Sequence, residues 1–245
     1  MSKIATLLRK DLRGIYRDRF VFTMMFYPFV LAVVTRLLVP VVPITNVGLY
    51  AAPLIPMMAA SIIGTVLGFA MIEERETRTW LLLRVLPLQP STLFLYLTVS
   101  ASALTFVVNL LCLIIYGVKP ADLVTATVLV AVTSLMAALM MLLLGALASN
   151  KIEGLTIGKI ISALGSLPLL VFVLPQPWQL LLAWNPWYWL YVGMLKAFAG
   201  PSTASELTLA WPATPDVLYW MVPLVMMVFG TAALLRLYRS AVTTQ

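Results

Sequence analysis

Apolar residues run through this chain in six long stretches, each closed off by polar or charged positions. The windows lie at Phe20 to Val42, Gly48 to Ile72, Ser91 to Tyr116, Ala121 to Ser149, Ile157 to Leu174 and Val217 to Leu237. A helix rises about 1.5 Å per residue and a bilayer's hydrocarbon core is about 30 Å thick, so about 20 apolar residues suffice to cross it. Each window therefore predicts one membrane-spanning helix. Ahead of the first, Ile4, Leu7, Leu8, Leu12, Ile15 and Tyr16 recur at helical spacing while Lys3, Arg9, Lys10, Arg13 and Arg17 fill the remaining faces. That pattern predicts an amphipathic helix lying in the membrane interface over residues 1–19. A cleaved signal peptide is the rival for a basic segment before an apolar one. The basic part is too long and the apolar part exceeds a typical signal core, so the segment is expected to be retained.

The connections differ in kind. Val118-Lys119-Pro120 joins the third and fourth spans so tightly that they must form an antiparallel hairpin. Residues 175–216 instead form a long, apolar, aromatic connection before the last span, with Trp178, Trp184, Trp187, Trp189, Trp211, Tyr188 and Tyr191, interrupted by Pro175, Pro177 and Pro186. It predicts short half-helices lying in, or dipping into, the outer interface. Two roles fit it equally, an aromatic belt that anchors the helices and a gate for substrate. The fold expected is all-α: a polytopic membrane protein of six transmembrane helices in a single transmembrane domain over residues 1–245.

Composition agrees and narrows the chemistry. Of the 245 residues 62% are hydrophobic and the mean hydropathy is +1.01, against roughly 45–50% apolar usage in soluble domains. Once six spans and their loops are placed, no length remains for a soluble catalytic domain. There is no histidine and one cysteine, Cys112, inside an apolar run. Metal clusters built on imidazole or thiolate, Ser-His-Asp triads and Cys-His pairs are excluded, and Cys112 reads as a small buried hydrophobe.

The net charge of +7 would suit nucleic acid, but the cations sort by membrane side instead. Lys3, Arg9, Lys10, Arg13, Arg17, Arg19, Arg75, Arg78, Arg84, Lys151, Lys159, Arg236 and Arg239, thirteen in all, fall on the side of the termini, against Lys119 and Lys196 on the other. This bias predicts a multi-pass protein of the inner or plasma membrane with both termini cytoplasmic and no nucleic-acid partner. Arg36, near the outer end of the first span, is expected to reach the head groups.

Three motifs resemble known chemical signatures. Glu73-Glu74-x-x-x-Arg78 matches the signature of intramembrane metalloproteases, but without histidine no catalytic metal is held. Gly154-Leu-Thr-Ile-Gly158-Lys159 resembles a phosphate loop, yet it misses the spacing by one residue and lacks the Ser or Thr after the lysine. Gly64 and Gly68 form a Gly-x-x-x-Gly face beside Ser61 and Thr65, which serves either packing within the chain or a dimer surface.

The segment 73–90 is the informative one. Glu73, Glu74, Arg75, Glu76 and Arg78 form a dense charged cluster in a chain that is only 10% charged, and they end the second span because charge in hydrocarbon is costly. Thr79 to Leu86 then offers an apolar helical face with Trp80, Leu81, Leu83 and Val85 before Pro87 and Pro90 stop it, and Ser91 can cap the next helix. One reading is a short rigid lever between two membrane helices. The other is a juxtamembrane turn resting on the lipid surface.

The stretch Arg75-Glu76-Thr77-Arg78-Thr79-Trp80, followed by Leu82-Leu83-Arg84-Val85-Leu86-Pro87-Leu88, resembles the signature of membrane subunits of type-2 ATP-binding-cassette exporters. The six-span plan, the basic amphipathic first helix and Asn185-Pro186-Trp187-Tyr188 at the aromatic segment are similar to that family as well. Arg78 stands where the family usually has glycine, which puts the start of the segment's helix in doubt and adds a charge toward its partner. The wording around Leu83 to Leu88 is also similar to a drug-export branch that includes fluoroquinolone-type export permeases. The resemblance implies a coupling helix that fits a cleft on a nucleotide-binding ATPase subunit, with Glu73, Glu74, Arg75, Glu76, Arg78, Thr79 and Trp80 as coupling residues supported by Arg13 and Arg17. It further implies a second permease as partner, homodimeric or heterodimeric, and ATP and magnesium held by the ATPase, with no cofactor on this chain.

The spans offer few polar groups for a transport path, among them Thr65 and Asn109, so a hydrophobic or amphipathic substrate, a drug or a lipid, is expected. Asn109 also suits a hydrogen bond between helices. An ATP-independent carrier or channel is the competing class, and it would normally place ionisable groups near the midplane. A structural or assembly protein of the membrane is the third.

Overall fold

A computed structural model describes residues 19–43, 46–77, 90–175, 178–206 and 217–243. The amphipathic segment with Arg13 and Arg17, and residues 78–89 with Arg78, Thr79 and Trp80, lie outside the described residues. The described chain is all-helical: α1 (Arg19–Leu38), α2 (Val47–Ala51), α3 (Leu54–Glu76), α4 (Pro90–Tyr116), α5 (Leu123–Leu147), α6 (Lys151–Ser166), α7 (Pro186–Glu206) and α8 (Leu218–Thr243). Short 3-10 turns at Val39–Val41, Leu167–Phe172 and Trp178–Leu182 join or extend them. Five of these units are long and apolar enough to cross a bilayer, and α8 contributes a shorter apolar stretch, Leu218–Leu234.

Position in the bundle follows from how apolar each helix is around its circumference. The α5 sequence has scarcely a polar side, and a helix apolar on every face belongs in the interior. Accordingly 72% of its apolar window is buried, against 11% for α1 and 17% for α6, which stand at the rim. Around α5 are arranged α3, its most extensive neighbour, then α4, α8, α7 and α6. The exposed apolar side chains of α1 and α6, such as Phe26, Val30, Leu37, Ile152 and Ile160, face outward, as a lipid-facing surface does.

The α3–α5 crossing is made by small residues. A Cβ on Gly64 would stand 2.6 Å from the Ala137 carbonyl oxygen, and one on Gly68 would stand 2.8 Å from Leu144 Cβ. The Gly-x-x-x-Gly face therefore packs within the chain, where absent side chains let two backbones approach. Gly154 works alike on α6, where a Cβ would meet Ile72 Cδ1 at 2.8 Å and Phe69 Cε1 at 3.1 Å, whereas one on Gly158 would make only ordinary contact, 3.9 Å from Leu144 Cδ2 and 4.0 Å from Thr65 Cγ2. Gly154, part of the apparent phosphate loop in the sequence, is a packing residue.

At the end of the bundle where α4 turns into α5, side chains satisfy the backbone groups that helix ends leave unpaired. Asp122 caps α5, accepting from the Val124 and Thr125 amides at 3.0 and 3.1 Å. These bonds and the one from the Thr125 hydroxyl, the largest contribution, hold its carboxyl below the usual aspartate value. Tyr116 donates to the Gly48 carbonyl at 2.7 Å and Tyr191 to the Tyr50 carbonyl at 3.1 Å, tying α2 to α4 and α7. Phe172 stands edge-on to both Tyr50 and Tyr191, 5.0 and 5.9 Å between ring centres.

The aromatic connection comprises the turn Trp178–Leu182 and α7, which is bent at Gly200 (φ 77°). Its helix is set by Asn185, whose Oδ1 accepts from the Trp187 amide while Nδ2 donates to the Leu164 carbonyl at 2.7 Å. Trp187 and Tyr188 are buried whereas Trp178 and Trp184 are exposed, so the tryptophans divide between core and surface.

Replacing Gly64 with valine is expected to lower stability by about 1–3 kcal/mol, the usual cost of overpacking. Thermal unfolding in detergent against an exposed control, Ala103→Val, measures it. Equal melting temperatures would remove the α3–α5 seam from its place in the account.

Candidate functional site

The charged cluster that ends the second apolar stretch is partly helical: α3 continues through Glu76, and the Thr77 hydroxyl bonds back to the Glu73 carbonyl at 2.8 Å. Glu73, Glu74, Arg75 and Glu76 thus occupy one final turn. Carboxylates are poor neighbours for the negative end of a helix, so an outside positive partner is needed. The start of α6 provides it.

Asn150 caps α6 by accepting from the Glu153 amide at 2.9 Å, and Glu153 reaches back to the Ser149 amide at 2.7 Å. This reciprocal arrangement is a capping box displaced by one residue. It leaves the Lys151 amide for another acceptor, and Glu76 Oε1 takes it at 3.1 Å. Lys151 Nζ meanwhile pairs with Glu73 Oε2 at 3.1 Å. A single lysine therefore holds α3 through both its backbone and its side chain.

The strengths of these contacts differ. Both partners of the ion pair are 48% exposed, and exposed pairs contribute about 0.2–1 kcal/mol and weaken with salt. The bond from Glu76 to a helix N-terminus resembles a side-chain cap, worth about 0.5–2 kcal/mol. The packing of Gly154 against Ile72 and Phe69 lies directly behind them. Glu73 and Glu76 are accordingly joined to α6, Glu74 is half-buried on the same turn, and the clasp sits one residue before the undescribed segment 78–89.

The two path candidates lie apart. Thr65 donates to the Ser61 carbonyl within α3, with its methyl toward Gly158 of α6. Asn109 is fully buried in α4 and donates from Nδ2 to Ser134 Oγ of α5 at 3.1 Å, so it does join two helices. Its Oδ1 meets no donor among the described residues, and Thr105 on α4 and Thr133 on α5 are buried as well. Among the described residues no group of His, Cys, Asp and Glu could hold a metal ion, and Cys112 is buried and free.

Sequence reasoning missed two participants. The capping signal Asn150-x-x-Glu153 is readable from spacing alone, but the pairing of Lys151 with Glu73 spans distant parts of the chain and leaves no local trace. Arg36 likewise does more than extend toward head groups: Nη1 donates to the Ile115 carbonyl at 2.7 Å, capping α4. Its guanidinium stands over Gly117, where a Cβ would lie 3.6 Å from Cζ.

Comparison with known sequences places this architecture. The sequence profile described as "Fluoroquinolones export permease protein Rv2686c-like" matches residues 11–234, so the chain belongs to the Rv2686c-like family. Fluoroquinolones export permease proteins from two strains of Mycobacterium tuberculosis are each 28% identical over 222 residues, covering 85% of both chains. The chain is thus a multi-pass membrane protein of a family of export permeases, and its relatives are transporters by name rather than enzymes.

Glu76→Lys puts a cation against the N-terminus of α6 and should speed amide exchange at Lys151 to Gly154 about tenfold. Glu73→Gln, which removes only an exposed ion pair, should change the same amides less than about fivefold, and less still in high salt. Mass-spectrometric hydrogen exchange in detergent reads both. Equal effects of the two substitutions would contradict the ranking.

Proposed function

We propose that this chain is the permease subunit of an ATP-driven exporter of the type-2 ATP-binding-cassette kind. Its substrate is a hydrophobic or amphipathic drug, and fluoroquinolones are the first to test. Family membership across residues 11–234 is the observation that carries the reading. The Arg75 to Leu88 signature supports ATP coupling in particular.

In this reading both termini are cytoplasmic, two six-helix halves enclose the path, and each docks an ATPase subunit at residues 73–90 with help from Arg13 and Arg17. Nucleotide binding closes the ATPase pair, and force enters through Arg78, Thr79 and Trp80. The clasp of Glu73 and Glu76 on Lys151 supports a division of that force between α3 and α6, because the segment cannot move α3's last turn without pulling on α6's first. The halves then tilt and expose substrate outward. Asn109 and Thr65 are the polar candidates along the path, and Oδ1 of Asn109, which no described residue satisfies, is an acceptor that an opened α4–α5 seam would offer to substrate.

An ATP-independent carrier fits less well. The apolar stretches 54–72, 95–116 and 123–147 contain no Asp, Glu, Lys or Arg, and such carriers place ionisable groups near the midplane for ion coupling.

The test is co-expression with a candidate nucleotide-binding ATPase subunit from the same source, followed by reconstitution in vesicles. Wild type is expected to copurify with the ATPase and to show drug-stimulated hydrolysis. The double variant Glu74→Lys with Arg78→Glu should lose that stimulation by about tenfold or more, as when a charge pair across an interface is broken, while its thermal stability stays unchanged. Unaltered stimulation in the variant removes the coupling assignment. Drug transport by this chain alone, without ATP, removes the exporter reading itself.

A further inference from the structure

A cleft of about 330 Å³ opens beside the α4–α5 hairpin, lined by Leu113, Ile114, Gly117, Ala126, Val130 and Phe198 among others. Its floor is buried, with Ala126 and Val130 at 3% and 1% exposure, while Ile114 on its edge is 72% exposed. The cleft therefore opens on a face whose neighbouring side chains, Leu111, Leu123 and Val124, are themselves exposed and apolar. In a bilayer that face meets acyl chains. Its lining is almost wholly apolar apart from the rim, where Lys119 and Thr127 stand.

Charge at the rim is of one sign. Lys119 is exposed and makes no ion pair with a described residue. Arg36 lies over Gly117, itself a lining residue, and uses Nη1 on the Ile115 carbonyl out of the five donors a guanidinium carries. The nearby anion, Asp122, is committed to the Val124 and Thr125 amides and the Thr125 hydroxyl. Gly117 adopts φ +82° and carries no side chain between the guanidinium and the cleft mouth. Both cations stand where the helices end, at the level of the lipid head groups.

We propose that this cleft is a binding site for an anionic phospholipid, with one acyl chain seated against Ala126, Val130 and Phe198 and the phosphate held by Lys119 and Arg36. A zwitterionic lipid offers the same chain but no net charge for the rim. The occupant matters to the fold at this point because the cleft lies between the α4–α5 hairpin and α7, which are joined there by the Asp122 amide donating to the Ala197 carbonyl at 3.0 Å. A chain wedged beneath that bond would brace α7 against the hairpin. The site is independent of the ATPase reading, since it needs only that the chain span a membrane.

The experiment is native mass spectrometry of the full chain, released from mild detergent after equilibration with equal amounts of phosphatidylglycerol and phosphatidylcholine of matched chains. Wild type is expected to retain phosphatidylglycerol about fivefold over phosphatidylcholine, the factor typical of one cation at a membrane surface. Lys119→Glu should abolish the preference. Lys159→Glu, the same charge change on α6, should keep it. Ala126→Phe should remove retention of both lipids, and Thr127→Trp, at an exposed lining position that tolerates bulk, should do so without risk to the core. Retention that is indifferent to head group, a Lys119→Glu variant equal to wild type, or a wild type that holds no lipid because its own residues or a second copy fill the cleft, each overturns the proposal.

Discussion

In a bilayer the apolar faces of helices gain nothing by leaving lipid for one another, so helices stay together only where backbones approach closely enough for dense contact. In this chain that condition is met first along α3 and α5. Gly64 and Gly68 admit the Ala137 backbone and Leu144 to distances that any side chain would forbid. With α3 fixed there, α5 is left with its other faces covered by α4, α7 and α8, and the interior can be apolar throughout. Of the buried polar side chains on α4 and α5, Thr105, Asn109, Thr133 and Ser134, the hydroxyls return a hydrogen bond to their own helix. Only Asn109 reaches across.

The α3–α5 seam also bears on how force would travel in the proposed exporter. Because α3 is anchored over two turns by contacts that tolerate no slack, a displacement of its charged end is passed to whatever touches that end. Ile72 and Phe69 press on Gly154, and Glu73 and Glu76 hold Lys151. Helix α6 stands at the rim, held at its first turn by this clasp and near its other end by the Asn185 bond to the Leu164 carbonyl.

Much of the fold was legible because its determinants are local. The apolar windows predicted helices that the structure realises as α1, α3, α4, α5, α6 and α8, and the tight turn read at Val118 to Pro120 is the six-residue hairpin connection Gly117 to Asp122. Boundaries moved where capping or charge competes with hydropathy: α3 extends through Glu76 because its carboxylates find α6, and α6 begins at Lys151 because Asn150 and Glu153 cap it, six residues before the apolar run suggests. The second window is broken after Ala51, with Asn46 in the left-handed region at φ 61° opening the short α2. The candidate site was half legible. Which residues are charged could be read directly, but the clasp joins positions 75 and 78 residues apart, and no periodicity encodes a contact of that separation. The role of Gly154 was hidden for the same reason, since only the approach of Phe69 and Ile72 explains it.

The two ends of the bundle are built from different interactions, and the difference bears on which end moves. At the hairpin end, Tyr116, Tyr191, Arg36 and Asn185 each bind a backbone carbonyl on a different segment, three of them buried and all held by packed rings or helix ends. Breaking any buried one strands a polar group away from water, which costs about 1–3 kcal/mol. At the clasp end, the ion pair is half exposed and worth little, and the Glu76 cap on the Lys151 amide, though stronger, is exposed, so water can take its place. A transporter must change shape without melting, and the cheapest place to do so is where hydrogen bonds are replaceable by solvent. In the proposed exporter that place would be the turn carrying Glu73 to Glu76, next to the segment assigned to the motor subunit, and the hairpin end would hold the helices in register.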